Sequence, residues 1–266
     1  MRINTYTSFL LGFFVLIVIN WVGIQISHIK DTPINLLYSF ATAVLAFAGG
    51  VMGIRVSKNW GGLKSSVGKA VFYLSLGTTT WSLGNFVWSF YNFVLHTDMP
   101  YPSLADVGYT LAVPLWVMGI YFLSQATGTK FSLRKLRGRA LAVILPIIAT
   151  IASYYFLYVL ARGSSIDVGG GIIKIFLDFF YPIGDWIILT TSLLLFGLSL
   201  KYLGGRFRTP VFIIILGFLL LFSADFSFSY TTTVGTYYNG NYADFLFAIA
   251  VFVISFGVCS IDVKEG

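Results

Sequence analysis

Long apolar runs are the feature that most constrains this chain. A helix needs about 20 residues to cross a bilayer core of about 30 Å, and eight stretches of the sequence reach that length. They are residues 8–27, 36–55, 68–95, 104–126, 138–161, 172–201, 209–234 and 242–260. The segments between them are short. We therefore predict an all-α polytopic membrane bundle of about eight transmembrane helices, forming a single domain over residues 1–266.

The scarcity of charge supports a multi-pass protein of the cell membrane, surrounded by lipid. Charged residues make up 10% of the chain and apolar residues 57%, whereas a soluble domain carries about 25% charged residues. This composition excludes a soluble globular enzyme, a disordered tail and a nucleic-acid-binding domain. The first apolar run is too long for a signal-peptide core, and no small-x-small cleavage site follows it, so we expect it to stay as the first helix.

The distribution of Lys and Arg predicts the orientation. With the N-terminus inside, all of the 17 cations fall in inside segments except Lys30, Arg162 and Lys174. Cytoplasmic loops are enriched in Lys and Arg. We therefore predict an even number of spans with both termini cytoplasmic.

Three loops that we expect to face outward contain a similar sequence motif. Residues 99–106, 180–186 and 238–244 each place an aromatic residue and a turn former before an Asp, namely Asp106, Asp185 or Asp244. The pattern suggests three related helical hairpins preceded by an N-terminal pair of helices. For Asp106 and Asp244, capping of the following helix explains the carboxylate. Asp185 differs, because Pro182 occupies the capping position and the apolar helix begins earlier.

Several polar residues lie within the apolar runs. An Asp in the middle of a membrane costs roughly 2.5–3.5 kcal/mol, so it needs a partner, a proton or water. Asp178 and Asp185 are seven residues apart and share one helix face with Tyr181, and Asp225 lies inside the seventh run. Trp81, Asn85, Trp88 and Asn92 form a stripe along the third run.

These faces predict a polar, aromatic-lined cavity in the outer half of the bundle. The candidate ligand-binding residues are Trp81, Asn85, Trp88, Asp178, Tyr181, Asp185 and Asp225. The alternative is a set of interhelical hydrogen bonds that hold the helices together and bind nothing.

The residues that are missing disfavour an enzyme. His28 and His96 both lie at predicted helix ends, which disfavours a bis-histidine haem and His-rich metal centres. No Lys lies in mid-span to form a retinal Schiff base, Glu occurs only at Glu265, and no hydrolase or phosphate-loop motif is present. We predict no catalytic residues and no metal site, and the sequence leaves any cofactor undefined.

The motif order resembles a known class of membrane region. The chain resembles the multi-helix input region that precedes diguanylate cyclase, phosphodiesterase and histidine-kinase domains of prokaryotes. The resemblance rests on four short motifs in this order, at residues 101–106, 181–185, 223–225 and 235–237. The likeness covers approximately residues 75–258 and implies signal sensing through the membrane. Because no catalytic output domain follows in this sequence, the resemblance implies signalling through a partner.

Three functions are compatible with these patterns. The first is a sensor or receptor-like module that binds a small apolar or amphipathic ligand, such as a lipid or pigment, and signals to a cytoplasmic or membrane protein partner. The second is a proton-coupled transporter or channel that uses Asp178, Asp185 and Asp225. The third is a structural or assembly subunit of a membrane complex.

Overall fold

The computed structural model describes residues 4–30, 32–97, 99–165, 169, 171–200, 204 and 207–261. Its α-helices are α1 (Thr5–Ser27), α2 (Pro33–Asn59), α3 (Ser66–Phe90), α4 (Ala105–Ala126), α5 (Thr129–Leu133), α6 (Leu136–Ser153), α7 (Ile172–Ser199), α8 (Arg208–Thr233) and α9 (Tyr242–Cys259). Wider π-helical turns follow α3 at Tyr91–Leu95 and α6 at Tyr154–Leu160. The described part of the chain contains no strand, which confirms the all-α prediction.

Each predicted apolar run corresponds to one long helix, and α5 is a single extra turn in the basic loop after α4. Polar side chains define several helix starts. Asn4, Ser65 and Asn241 each accept a hydrogen bond from a backbone N–H in the first turn of α1, α3 and α9. These contacts satisfy donors that have no partner within the helix. In α7 the helix begins ten residues before Pro182 and continues past it, as the apolar pattern predicts.

Among the described residues, six helical segments are long and apolar enough to cross a membrane. They are α1, α2, α4, α8, α9 and the continuous segment Leu136–Leu160. The other two long helices, α3 and α7, carry six of the seven predicted site residues. The structure thus supports a multi-pass membrane protein with six candidate spans, and the count of eight and the cytoplasmic termini stay predictions.

Small residues allow the central helices to pack closely. Helix α3 packs along α2 and α4, and α8 packs along α9. A Cβ atom added to Gly50 of α2 would lie 2.9 Å from the backbone oxygen of Ser75, and one at Gly53 would lie 2.8 Å from Val258. Only glycine permits such an approach of two helices. Gly49 packs in the same way against Ser255, so Gly49 and Gly53 form one small-residue face of α2.

The main apolar core includes buried side chains of α3, α4, α8 and α9. Among them are Leu74 of α3, Leu123 of α4, Ile214 of α8 and Ile254 of α9. One half of the bundle is the end at which α2, α4, α7 and α9 begin and α3 and α8 finish. That half is rich in polar and aromatic side chains and contains the candidate site. Among the cations that the sequence assigns to the inside, Arg2, Lys201, Arg206 and Lys264 lie outside the described residues, as does Glu265.

Candidate functional site

A cavity of about 600 Å³ lies between the helices in the polar half of the bundle. Side chains of α2, α3, α4, α7, α8 and α9 form its wall, together with the end of the turn after α6. All seven predicted site residues line it, namely Trp81, Asn85, Trp88, Asp178, Tyr181, Asp185 and Asp225. The structure therefore brings together residues that are up to 144 positions apart in the sequence. Their role in ligand binding stays a prediction.

One wall of the cavity is an aromatic cluster. The ring of Trp81 lies 5.8 Å from that of Phe247, and the ring of Trp88 lies 6.2 Å from that of Phe228. Phe228 joins the two by contacting Phe247 at 6.2 Å. Tyr237 packs edge-on against Phe228 at 5.0 Å. Edge-to-face contacts of this kind fix the rings in place and give the cavity a rigid apolar side.

Several polar side-chain atoms of α3 donate hydrogen bonds to other groups of the protein. The Trp88 indole donates a hydrogen bond from Nε1 to Oδ1 of Asn239, at 3.0 Å. Asn85 donates from Nδ2 to the carbonyl of Trp81 at 3.1 Å, and Asn92 donates in the same way to Trp88. The Trp88 N–H therefore has a partner within the protein, in the loop before α9, whereas the rings of Trp81 and Trp88 lie on the cavity wall.

Asp178 lies in an ionic cluster at the rim of the cavity. Lys174 Nζ is 3.1 Å from its Oδ2, and Arg162 Nη1 is 3.9 Å from its Oδ1. Arg162 also donates to the backbone carbonyl of Asp178 at 2.9 Å, and the Tyr101 hydroxyl donates to Oδ1 at 3.0 Å. Burial, reinforced by this bond to Asp178, raises the pKa of Tyr101. Asp178 is thus a bound anion that joins α7 to the preceding turn and to the loop before α4.

Asp106 and Asp244 behave as the capping interpretation predicts, with one addition. Asp106 accepts a hydrogen bond from the backbone N–H of Ser103 at 2.6 Å, and Asp244 accepts one from Gly240 at 2.7 Å. Each carboxylate also accepts a tyrosine hydroxyl. Tyr181 donates to Asp106 at 2.5 Å, and Tyr237 donates to Asp244 at 3.1 Å. Tyr181 therefore binds across the cavity to α4, a partner that the sequence does not reveal.

Asp185 and Asp225 form a pair between α7 and α8. Their carboxyl groups lie close enough to interact directly. A hydrogen bond between them needs one shared proton, because two carboxylates offer acceptors only. In the part of the chain that the structure describes, no backbone N–H or hydroxyl group donates to either of them. Asp185 is therefore the one Asp of the three similar loops that is not fixed by its own helix start.

Sequence reasoning missed several residues of the cavity wall, including Tyr101, Tyr109, Arg162 and Lys174. A signal for two of them was present. Arg162 and Lys174 are exceptions to the inside bias of the cations, and the structure places both against Asp178. The third exception, Lys30, lies over the ring of Tyr238 at 4.8 Å. Each of the three cations that the sequence places outside therefore makes a specific contact within the protein.

Comparisons with known proteins do not indicate a function for this chain, so a proposal about function rests on the geometry of the cavity. No protein-family model, curated protein or solved structure matches the chain. Within the described ranges, no group of three His, Cys, Asp or Glu side chains is placed to hold a metal ion.

Proposed function

We propose that the chain is a non-catalytic sensor or receptor-like module of the cell membrane that binds a small amphipathic ligand in the cavity. The cavity carries this proposal, because one space of about 600 Å³ between the helices combines an aromatic wall with carboxyl groups. Ligand pockets have volumes of roughly 300–1,000 Å³, with mostly apolar walls and a few convergent polar groups. The resemblance to membrane input regions supports a signalling role, which would pass through a partner protein.

The proposed topology has eight spans, with α3 and α7 crossing the membrane beside the six candidate spans and both termini in the cytoplasm. Single cysteines test it in a Cys259→Ala background, because Cys259 is the chain's one cysteine and is buried. In closed vesicles of known orientation, an impermeant thiol reagent should label Ser164→Cys from the outside and Arg134→Cys only after the membrane is opened. Labelling of both from the same side would contradict the topology.

Retention of a ligand tests the binding proposal. The protein is purified in a mild detergent, and co-purifying molecules are identified by mass spectrometry and absorption spectrum. Ser229 lines the cavity on α8, whereas Leu216 of the same helix is half exposed on its outer surface. Ser229→Trp should fill the cavity and abolish ligand retention, and Leu216→Trp should keep it. Equal retention by both variants would place the ligand elsewhere, and stoichiometric partner chains without a ligand would favour an assembly subunit.

A proton-coupled transporter is the second candidate, and the close pair of Asp185 and Asp225 favours it. Asp178 is bound by two cations, so the proton-carrying role in such a transporter would fall to the pair. In proteoliposomes, a transporter would show pH-driven flux that Asp225→Asn abolishes. A binding module would show no flux in the wild type.

A further inference from the structure

The acidic side chains on the cavity wall differ in the partners that the protein supplies to them. Asp178 has two cations beside it, and Asp106 and Asp244 each accept a backbone N–H and a tyrosine hydroxyl. These three carboxylates therefore have internal partners. Asp185 and Asp225 contact each other and form no salt bridge among the described residues, while Arg162 acts on Asp185 from beyond ion-pair distance. The cavity thus contains one place where two carboxyl groups lie together without a directly bound cation from the described part of the protein.

Aromatic rings adjoin this place on both helices. Phe228 follows Asp225 by three residues, and Tyr181 precedes Asp185 by four, so each ring lies on the same helix face as its carboxyl group. Both rings line the cavity. The face of an aromatic ring attracts cations, whereas a ligand anion at the same point would face the carboxyl pair. The surroundings of the pair therefore favour a positive group over a negative one.

We infer that the cavity binds an amphipathic amine, whose ammonium group lies between Asp185 and Asp225 and whose apolar body lies against the aromatic wall of Trp81, Trp88, Phe228 and Phe247. An ammonium group supplies three N–H donors, enough to replace the proton that joins the two carboxyl groups. That proton leaves to solvent as the ammonium binds. Charge-assisted hydrogen bonds to a carboxylate are about twice as strong as neutral ones.

The size of the cavity agrees with this ligand class. A volume of about 600 Å³ accommodates a drug-sized molecule, far more than an ammonium ion alone would need. The apolar body is therefore part of the recognition. This inference rests on the proposed function, because it names the ligand class of the same cavity.

A matched set of three probes tests the inference on the full chain in nanodiscs. Phenylbutylamine, phenylbutanol and phenylbutyrate share one apolar body and differ in carrying a positive, neutral or negative head. Affinity is measured by titration of tryptophan fluorescence, since Trp81 and Trp88 line the cavity, and is confirmed by calorimetry. We expect the amine to bind at least about tenfold more tightly than the alcohol, and the acid to bind most weakly.

Variants locate the ammonium group. Asp185→Asn and Asp225→Asn should each reduce the preference for the amine over the alcohol, because one carboxylate remains, and the double variant should abolish it. Asp178→Asn is the control, because it removes a carboxylate from the cavity wall but leaves the pair intact. It should keep the amine as the tighter ligand. Infrared spectroscopy of the wild type gives a measurement that needs no variant, since the band of a protonated carboxyl group should disappear on binding of the amine and persist with the alcohol.

The outcomes separate the two proposals. If the alcohol binds as tightly as the amine, the ligand class is wrong while the cavity remains a binding site. If the double variant of Asp185→Asn and Asp225→Asn keeps the amine preference, the pair is not the ammonium site. If none of the three probes binds, the ligand class and the proposed binding function both fail.

Discussion

The contact between α3 and α4 is close enough that one methyl group should disrupt it. A Cβ atom added to Gly108 of α4 would lie 2.6 Å from the backbone oxygen of Thr80 and 2.7 Å from the backbone nitrogen of Gly84. Ordinary contact begins at 3.4 Å, so the two helices must separate by about 0.8 Å. The atoms in the way belong to the backbone of α3, and no side-chain rotation relieves the overlap. Gly108→Ala therefore tests the packing that positions Trp81 against Tyr109.

The expected cost follows from two opposing contributions. Overpacking a close contact costs about 1–3 kcal/mol. Replacing a helical glycine by alanine contributes up to about 1 kcal/mol in the opposite direction. We expect Gly108→Ala to lower the free energy of unfolding by roughly 1–2 kcal/mol. Gly12 of α1 is the control, because no atom lies within 4 Å of its added Cβ. Gly12→Ala should retain or raise stability.

Thermal unfolding in a mild detergent measures the difference. Circular dichroism reports the helices and tryptophan fluorescence reports the packing around Trp81. Each kcal/mol corresponds to a shift of about 2–4 °C in Tm for a chain of this size. After Gly108→Ala separates the helices, Gly84→Ala at the facing position should cost less than it does alone. Equal Tm values for Gly108→Ala and Gly12→Ala would refute the close approach of α3 and α4.

Two further predictions concern the hydrogen bonds around the cavity. Asp106→Ala leaves the N–H of Ser103 and the hydroxyl of Tyr181 without their acceptor, and we expect it to lower the free energy of unfolding by about 1–3 kcal/mol. Tyr181→Phe should cost less, since Asp106 keeps its bond to Ser103. A larger loss for Tyr181→Phe would contradict the assignment of Asp106 as the shared acceptor. Tyr101→Phe should cost about 1.5 kcal/mol, because the Tyr101 hydroxyl donates to a charged carboxylate. The folded-state pKa of Tyr101 is raised above its unfolded value of about 10, so this contribution is present below pH 10 and is lost as the pH rises above it. Chemical unfolding of both proteins at about pH 7 and about pH 9 should give the same difference, and a smaller difference at the higher pH would contradict the raised pKa.

The helices could be predicted from the sequence, because a segment that crosses a bilayer must satisfy its backbone within itself. The eight apolar runs of the sequence therefore coincide with the long helices α1 to α4 and α6 to α9, six of which are candidate spans among the described residues. The seven-residue spacing of Asp178 and Asp185 similarly places both on one face of α7. Contacts between helices follow from tertiary packing, which no spacing encodes. The bond from Tyr181 to Asp106 and the pairing of Asp185 with Asp225 therefore appear only in the structure.

Hydrogen bonds and ion pairs within the protein account for some of the polar residues in the apolar runs, and the ligand-binding interpretation stays a prediction for the others. Asp106, Asp244 and the Trp88 N–H have internal partners that account for them without a ligand. Asp178 joins three segments through Arg162, Lys174 and Tyr101, so it too is explained by structure. Asp185 and Asp225 contact each other across α7 and α8, but a carboxyl group within a membrane span costs several kcal/mol of insertion energy that an apolar residue would not. A carboxyl pair on the wall of a cavity that the fold leaves unfilled is therefore the feature on which the proposed ligand binding depends.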